Sequence, residues 1–297
     1  MRGQAPVAAV TGASGYLGSR ICTTLESGGW QVIRLARSPQ QSHGQVLKYD
    51  LALPVTARVR EALLSANVLI HAAYDLALTS PADIWRVNVE GSRHLLEAAR
   101  EAAVDRIIVL SSMSAFEGTT QLYGRAKLDI EAIATEFGGC AIRPGLVYGD
   151  QAGGMAGAMR KLTTLPVVPV IAGGAGVYTV RERDLMSAVT LLASAPALEP
   201  GTISVAHPSR VTLTDLLRAF AGQGDRRCWF VPVPWRLIYW LLRSGELMRL
   251  RLPFRADSLL ALVRTAPGLV GGDQLARLGV TPQAFTVTGP AVPSGAH

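Results

Sequence analysis

A chain of 297 residues can form one large domain or two small ones, and it is long enough to bury a sizeable core. Apolar residues make up 49% and charged residues 17%, which excludes a disordered or fibrous protein. The net charge of +7 favours anionic ligands. Because the chain has no long Lys/Arg run and no basic-aromatic repeat, we expect no nucleic acid as a partner.

Cys22, Cys140 and Cys228 are far apart and odd in number, which indicates neither a disulfide framework nor a metal site. The stretch before the first glycine-rich turn is too short for a signal peptide, and no uncharged apolar run reaches about 18 residues. We therefore expect a cytoplasmic protein with no bound metal and no transmembrane segment.

The first two thirds of the chain alternate short β-rich runs with helical patterns. Strands are predicted over 7–10, 31–36, 46–51, 67–73 and 106–112, and segment 140–149 is predicted to be a strand that runs into a loop. Helices are predicted over 56–66 and 84–101, after 121, and where Leu17, Ile21 and Leu25 recur every four residues. Apolar strands joined by crossover helices indicate an α/β fold with a parallel sheet covered on both faces.

The pattern changes after about residue 150, where glycine-rich stretches begin. Segment 229–264 holds bulky apolar residues among arginines, and it is predicted to form two helices divided near Pro253. We predict a dinucleotide-binding core over 1–150. Residues 151–297 are predicted to supply the remaining sheet elements and a small, mostly helical substrate-binding cap, interleaved with the core.

"TGASGYLG" (11–18) places Gly12, Gly15 and Gly18 in the spacing G-x-x-G-x-x-G between a predicted strand and a predicted helix. Glycines at this position let the backbone turn tightly and approach a pyrophosphate, which then lies at the helix N-terminus. The pattern predicts a dinucleotide site.

The end of the second strand indicates which dinucleotide binds. An acidic residue there would accept a hydrogen bond from the 2′-hydroxyl of NAD, whereas an arginine suits the 2′-phosphate of NADP. The chain has Arg37 and no acid, so Arg37, assisted by Arg34 or Ser38, favours NADP(H), with NAD(H) as the alternative. Asp50 and Leu51, after the third strand, are expected either at the adenine edge or in a polar turn.

Seven segments within about residues 5–150 together resemble one family. They are "TGASGYLG" (11–18), "DL" (50–51), "HAA" (71–73), "VNVEGSRHLLEAA" (87–99), "VLSS" (109–112), "YGRAK" (123–127) and "RPGLVYG" (143–149). The series resembles the short-chain dehydrogenase/reductase superfamily, in its extended or atypical branch of NAD(P)-dependent epimerase/dehydratase-like proteins. The resemblance implies a Rossmann-type doubly wound parallel sheet and a nicotinamide-dependent enzyme.

Tyr123 and Lys127 are four residues apart and share one face of a predicted helix. The resemblance implies that Tyr123 is the acid/base, that Lys127 tunes it and holds the nicotinamide ribose, and that a serine orients the reacting oxygen. An unperturbed tyrosine has a pKa of about 10, and a neighbouring ammonium favours its phenolate. Because it lies eleven residues before Tyr123, we choose Ser112 over Ser111 and Ser114.

The resemblance also implies cofactor contacts along one edge of the sheet. Asn88 is expected to bridge backbone groups beside the central helix, Pro144 and Val147 to lie against the nicotinamide, and His71 to be structural. The expected cofactor contacts are Gly12, Ser14, Gly15, Tyr16, Leu17, Gly18, Arg37, Asp50, Leu51, Ala72, Ala73, Asn88, Ser111, Tyr123, Lys127, Pro144 and Val147.

Two features of the sequence reduce the number of reaction types that fit this family. Met113-Ser114 stand where the related dehydratases carry an Asp-Glu pair, so dehydration lacks its acid and base. The short loop before Tyr123, together with Arg37, favours NADP(H)-dependent interconversion of a carbonyl and a secondary alcohol. The alternatives are a nucleotide-sugar epimerase that holds NAD(P) tightly and a non-catalytic cofactor-sensing module.

Two substrate classes stay open. Arg255 and Asp257 suit the pyrophosphate of a nucleotide sugar, whereas the apolar segment 229–263 suits an apolar ketone or alcohol. The mixture of basic and aromatic residues in that segment also suits contact with a membrane surface. Homodimers formed through a helix pair are common among proteins of this kind, and the oligomeric state stays open.

Overall fold

The structure is a computed structural model, and it describes residues 5–38, 45–149, 153–171, 176–222, 228–248 and 256–286. Its central sheet has seven parallel strands in the order β10-β6-β5-β4-β1-β2-β3. Their bounds are β1 Val7–Thr11, β2 Gln31–Ala36, β3 Gln45–Lys48, β4 Val68–His71, β5 Arg106–Leu110, β6 Cys140–Pro144 and β10 Gly201–Val205. The Rossmann-type sheet predicted from the sequence is confirmed.

Helices connect and flank these strands. They are α1 Tyr16–Ser27, α2 Ala57–Leu64, α3 Pro81–Asp83, α4 Gly91–Glu101, α5 Leu122–Glu136, α7 Glu182–Ser194 and α11 Gly272–Arg277. Helices α2, α4 and α5 pack on the sheet through one buried apolar cluster that includes Leu63, Leu95 and Ile130. The predicted helix over 84–101 begins instead with a π-helix, Ile84–Glu90, between α3 and α4.

The strand register brings the site residues together. Thr11 is opposite Leu35 of β2 and His71 of β4, so β1, β2 and β4 end at the same edge. The strands predicted over 46–51, 67–73 and 106–112 end two or three residues earlier, at Lys48, His71 and Leu110. There the chain leaves the ladder, and after β4 the side chain of Thr11 accepts the next backbone N–H groups. Residues 49–51, 72–73 and 111–112 therefore lie in loops at the strand ends.

The described chain divides into two compact units. The first contains the residues through Pro144 together with Met186–Val205 and Gly268–Val280. The second contains Gly145–Leu185, Ala206–Pro267 and the described residues from Thr281 onward. Helix α7 therefore belongs to both.

The second unit combines two small sheets with four helices. Strand β7 Leu146–Tyr148 pairs with β9 Thr179–Arg181, and β8 Val167–Ile171 pairs with β11 Trp229–Val233, all parallel. The helices are α6 Gly154–Leu162, α8 Leu213–Ala221, α9 Trp235–Leu247 and α10 Ala256–Val263. Leu216, Leu217 and Phe220 of α8 pack with Val168 and Val170 of β8 in its core.

One predicted element is wrong. Residues 229–233 form strand β11 instead of the start of a helix. Pro232 and Pro234 cannot continue a helix, and Val231 and Val233 favour the extended pairing with β8. The helices that follow are α9 and α10, while Pro253, the expected division between them, lies outside the described residues.

Within the described ranges, no helix is both long enough and apolar enough to cross a membrane. All three cysteines are free thiols. Burial raises the pKa of Cys22 to about 11 and that of Cys140 to about 12, so both are inert thiols that pack as small apolar residues.

Candidate active site

The loop between β1 and α1 allows a ligand's phosphates to come close. Gly12 has a φ of +66°, and a Cβ on it would lie 2.8 Å from the backbone nitrogen of Ala73. A Cβ on Gly18 would overlap the carbonyl oxygen of Gly12, so α1 begins directly against the turn. Gly15 is the N-cap of α1, and no acidic residue stands in its first turn. This N-terminus can therefore accept an anion, and the loop fits the pyrophosphate of a dinucleotide.

Gly12→Ala is expected to lower the free energy of unfolding by about 3 kcal/mol and to abolish dinucleotide binding, since it combines a left-handed φ with crowding against Ala73. Urea unfolding and titration with NADPH measure the two effects. Gly29→Ala is the matched control, because Gly29 has a φ of +85° but an added Cβ meets nothing within 4 Å. It should cost about 1 kcal/mol and leave binding intact. Equal losses in both variants would show that crowding is not what requires Gly12.

His71, at the end of β4, is buried and joins neighbouring elements. Its Nδ1 lies 2.7 Å from Thr11 Oγ1, and its Nε2 lies 2.8 Å from Ser92 Oγ. Thr11 Oγ1 accepts the N–H groups of Ala72 and Ala73 at 3.2 Å, so its own proton goes to Nδ1, and Nε2–H donates to Ser92. Burial lowers the pKa of His71 to about 3, and the ring is a neutral structural group, as expected.

Asn88 and Asp75 hold the loop that follows β4. Asn88 is fully buried in the π-helix; its Oδ1 accepts the Asp75 N–H at 2.7 Å, and its Nδ2 donates to the Asp75 carbonyl at 3.3 Å. The Asp75 carboxylate lies 2.8 Å from Nη1 of Arg37, whose side chain is 62% exposed. A 2′-phosphate at Arg37 would therefore share the guanidinium with a carboxylate. Arg34, expected to assist, forms a two-point ion pair with Glu26 of α1 instead.

Helix α5 places Tyr123 and Lys127 on one face. The Lys127 ammonium is buried and donates to the carbonyl oxygen of Leu110, at the end of β5, at 2.6 Å. It also lies 4.8 Å from the ring centroid of Tyr74. The Tyr74 ring meets that of Tyr123 edge-on, with centroids 5.0 Å apart. Tyr74 thus contacts both members of the pair, and sequence reasoning missed it, although it directly follows the "HAA" segment.

The serines after β5 have different surroundings. The Ser111 hydroxyl is buried and donates to a carboxylate of α5, whereas Ser112 is half-buried. Ser112 Oγ accepts the N–H of Ser114 at 3.1 Å, a bond that leaves the hydroxyl proton of Ser112 available to donate. A Cβ on Gly124 would overlap the Ser114 carbonyl, so this turn packs directly on the first turn of α5, which carries Tyr123.

A buried ion pair lies one helical turn beyond Lys127. Both oxygens of Glu131 accept from Arg143 of β6, at 2.8 and 2.6 Å, and one also accepts from Ser111. Thr202 Oγ1 lies 3.4 Å from the same carboxylate. Because the Ser111 hydroxyl proton is used in this way, the Ser111 side chain does not donate to a cofactor in this arrangement. Sequence reasoning missed this network, because its partners Arg143 and Thr202 lie on β6 and β10 and not on the helix that carries Glu131.

The other predicted residues lie in α1, at or after the ends of β1, β3, β4 and β6, and in β7. Asp50 Oδ1 accepts the N–H of Ala52 at 3.0 Å in a turn, and Leu51 beside it is buried. Pro144 ends β6 in the first unit, and Val147 lies in β7 of the second. Ser14 is exposed, while Tyr16, Leu17, Ala72 and Ala73 are half-buried.

Several charged residues of the second unit form hydrogen bonds with Gln283. Gln283 Oε1 accepts from Arg181 at 2.7 Å and from Arg183 at 2.8 Å, and its N–H donates to Asp184 at 2.9 Å. Arg181, Arg183 and Asp184 thus form a structural anchor for the segment that contains Gln283. His207 Nδ1 accepts the N–H of Ser209 at 3.1 Å. Arg255 and the side chain of Asp257 lie outside the described residues.

The glycine loop follows β1, and Tyr123 and Lys127 lie on α5. The model of the NAD-dependent epimerase/dehydratase family matches residues 8–165, just over half of the chain. The chain belongs to this family. It is therefore an enzyme of the nicotinamide-dependent oxidoreductase or epimerase type.

Similar proteins include a reductase, a dehydrogenase and a protein solved in complex with a nucleotide sugar. A ceramide reductase of Caulobacter vibrioides is 28% identical over 224 residues, which are 72% of this chain and 69% of that protein. A 3-beta-hydroxysteroid dehydrogenase of Mycolicibacterium neoaurum is 27% identical over 172 residues, 47% of each protein. The structure of MoeE5 in complex with UDP-glucuronic acid and NAD superposes with a TM-score of 0.71 at 21% identity, covering 94% of both chains, and shares the fold.

Proposed function

We propose that the protein is an NADP(H)-dependent reductase/dehydrogenase that interconverts a carbonyl and a secondary alcohol on an apolar substrate. The observation that carries the proposal is the buried Lys127 ammonium, fixed by Leu110 one helical turn from Tyr123. The names of the similar ceramide reductase and 3-beta-hydroxysteroid dehydrogenase support an apolar substrate. Met113 and Ser114 argue against a dehydratase, because they do not supply the acid and base that dehydration needs.

The bound dinucleotide supplies or accepts the hydride. In the reductive direction, Tyr123 donates its phenolic proton to the carbonyl oxygen, and the Lys127 ammonium stabilises the phenolate that remains. Ser112 donates to the same oxygen and orients it, since its own oxygen is already held by the N–H of Ser114. In the oxidative direction the phenolate takes the proton back. Tyr74, packed against both side chains, keeps water from the ammonium.

The competing proposal is a nucleotide-sugar epimerase, which the fold shared with MoeE5 supports. The two proposals differ in whether the cofactor is consumed. A reductase consumes one NADPH for each alcohol formed, whereas an epimerase returns its cofactor unchanged. A thermal-shift screen with NADP(H), NAD(H), nucleotide sugars and apolar ketones identifies ligands that raise the apparent stability. NADPH absorbance with each positive compound then separates the reactions. Cofactor-neutral turnover of a nucleotide sugar would overturn the reductase proposal.

Arg37→Asp is expected to weaken NADPH binding about 30-fold and to make NADH the preferred cofactor. It removes a charge-assisted bond to the 2′-phosphate and supplies an acceptor for a 2′-hydroxyl. Fluorescence titration of each dinucleotide measures the change. Arg60→Asp, at an exposed arginine paired with Glu101 on the α2 side of the sheet, is the control for altered net charge. Unchanged NADPH affinity in Arg37→Asp would remove the basis for preferring NADP.

A further inference from the structure

Helix α9 of the second unit carries an exposed apolar face. Leu237 is 53% exposed, Trp240 66%, Leu241 64% and Met248, at the C-cap, 72%. At 3.6 residues per turn, these four side chains project within an arc of about 100°. Large apolar side chains clustered on one exposed helix face are the mark of an interaction surface, whereas single ones are ordinary.

The side of α9 that begins about 40° beyond Leu241 packs within the second unit. Gly245 is buried, and Ile238 and Leu242 are half-buried on that side. Glu246 Oε1 accepts the N–H of Ala256 at 2.8 Å, which joins the end of α9 to the start of α10. The helix is therefore anchored with its apolar face directed outward.

Basic residues stand beside this apolar face. Arg236 and Arg243 project on one flank of it, about 100–120° from Leu237. Arg236 is exposed, with its guanidinium 5.6 Å from the ring centroid of Trp235. Arg243 is 52% exposed and only loosely paired, at 3.4 Å, with Glu246. Tryptophan and arginine together at the edge of an apolar face are typical of helices that lie in the interface of an anionic bilayer.

The preceding strand adds a second apolar surface. Trp229 of β11 is 78% exposed and stands opposite Val167 of β8, which is 51% exposed. Val231, two residues along β11, is also exposed. Strand β11 continues through Pro234 into α9, so one stretch of chain carries both surfaces.

We propose that the α9 face docks the protein on an anionic lipid bilayer, with α9 lying parallel to the membrane surface. Leu237, Trp240 and Leu241 enter the acyl boundary, while Arg236 and Arg243 bind lipid phosphates. A second copy of the chain fits this face less well. A two-fold contact would bring the arginines of one copy towards those of the other, and their repulsion opposes it. The net charge of +7 adds attraction to anionic lipid.

Vesicle co-sedimentation of the full chain tests the proposal, using phosphatidylcholine vesicles and vesicles of phosphatidylcholine and phosphatidylglycerol in equal amounts. The wild-type chain should bind the anionic vesicles, release them at high salt, and show a blue shift of tryptophan fluorescence on binding. Exchanging Leu237, Trp240 and Leu241 for serine should lower the partition coefficient at least about tenfold. Arg236→Gln with Arg243→Gln should lower it about thirtyfold.

Leu64→Ser is the matched control, because Leu64 is 71% exposed on α2 of the other unit and should not affect binding. Circular dichroism and NADPH titration show that each variant is folded. Absence of wild-type binding to anionic vesicles would overturn the proposal, as would equal binding by the triple serine variant. A concentration-dependent dimer that the serine variant dissociates, without vesicle binding, would assign the face to a second copy. A raised KM of the triple serine variant for a soluble ketone, with its vesicle binding unchanged, would show that the α9 face binds substrate instead of lipid.

Discussion

Tyr123→Phe is expected to lower kcat by about 10²- to 10⁴-fold, the range attributed to a positioned acid/base, while dinucleotide affinity stays unchanged. The substitution removes only the hydroxyl, so the ring contact with Tyr74, at 5.0 Å between centroids, is kept. The carbonyl oxygen then has no phenolic proton to accept in the transition state. NADPH oxidation with an active ketone, together with NADPH titration, measures both quantities.

Tyr178→Phe is the matched control, since it removes the hydroxyl of a second tyrosine, which is buried and whose ring packs under Arg210 in the second unit. Its kcat should equal that of the wild type. Full activity in Tyr123→Phe would show that the phenol is not the acid/base. Loss of turnover with intact NADPH binding would remove the hypothesis of a non-catalytic sensor, because a sensor needs only the cofactor.

The parts of this molecule that could be predicted are those that a pattern within one short stretch of sequence determines. Buried parallel strands are continuous apolar runs, as in β1 and β5, and a glycine triplet between strand and helix has one physical use. The spacing of Tyr123 and Lys127 is a property of any helix. The same reasoning extended three strands too far, because the loop residues that follow them, except Asp50, are also small or apolar.

The parts that could not be predicted join residues distant in the sequence. Tyr74 reaches Lys127 only because β4 and β5 are neighbours in the sheet. Glu131 looks like one charge of a solvated helix face until β6 brings Arg143 to it. Likewise, residues 229–233 become a strand because β8, some sixty residues earlier, is available to pair. No local pattern contains these partners.

The stability of the wild-type protein relative to Lys127→Met is expected to rise by about 2 kcal/mol from about pH 7 to about pH 9.5. Burial lowers the pKa of Lys127 to about 8 from its ordinary value of 10.5, although the charge of Glu131 acts in the opposite direction. Between these two values the unfolded chain binds more protons than the native state. The free energy of unfolding therefore increases with pH in this window, since rising pH removes the cost of the buried ammonium. Urea unfolding of both proteins at the two pH values measures the difference.

Lys48→Met, at an exposed lysine that ends β3, is the control for the pH dependence of the rest of the chain. A stability difference between wild type and Lys127→Met that does not change with pH would mean that the ammonium remains hydrated.

The same proton should govern catalysis, because the ammonium that destabilises the fold at neutral pH is the group that stabilises the Tyr123 phenolate. We expect kcat/KM of the wild type to fall as pH rises through about 8, and Lys127→Met to be inactive throughout. Stability and activity would then change in opposite directions with the charge of one side chain, which explains why a lysine occupies a site where an apolar residue would pack at less cost.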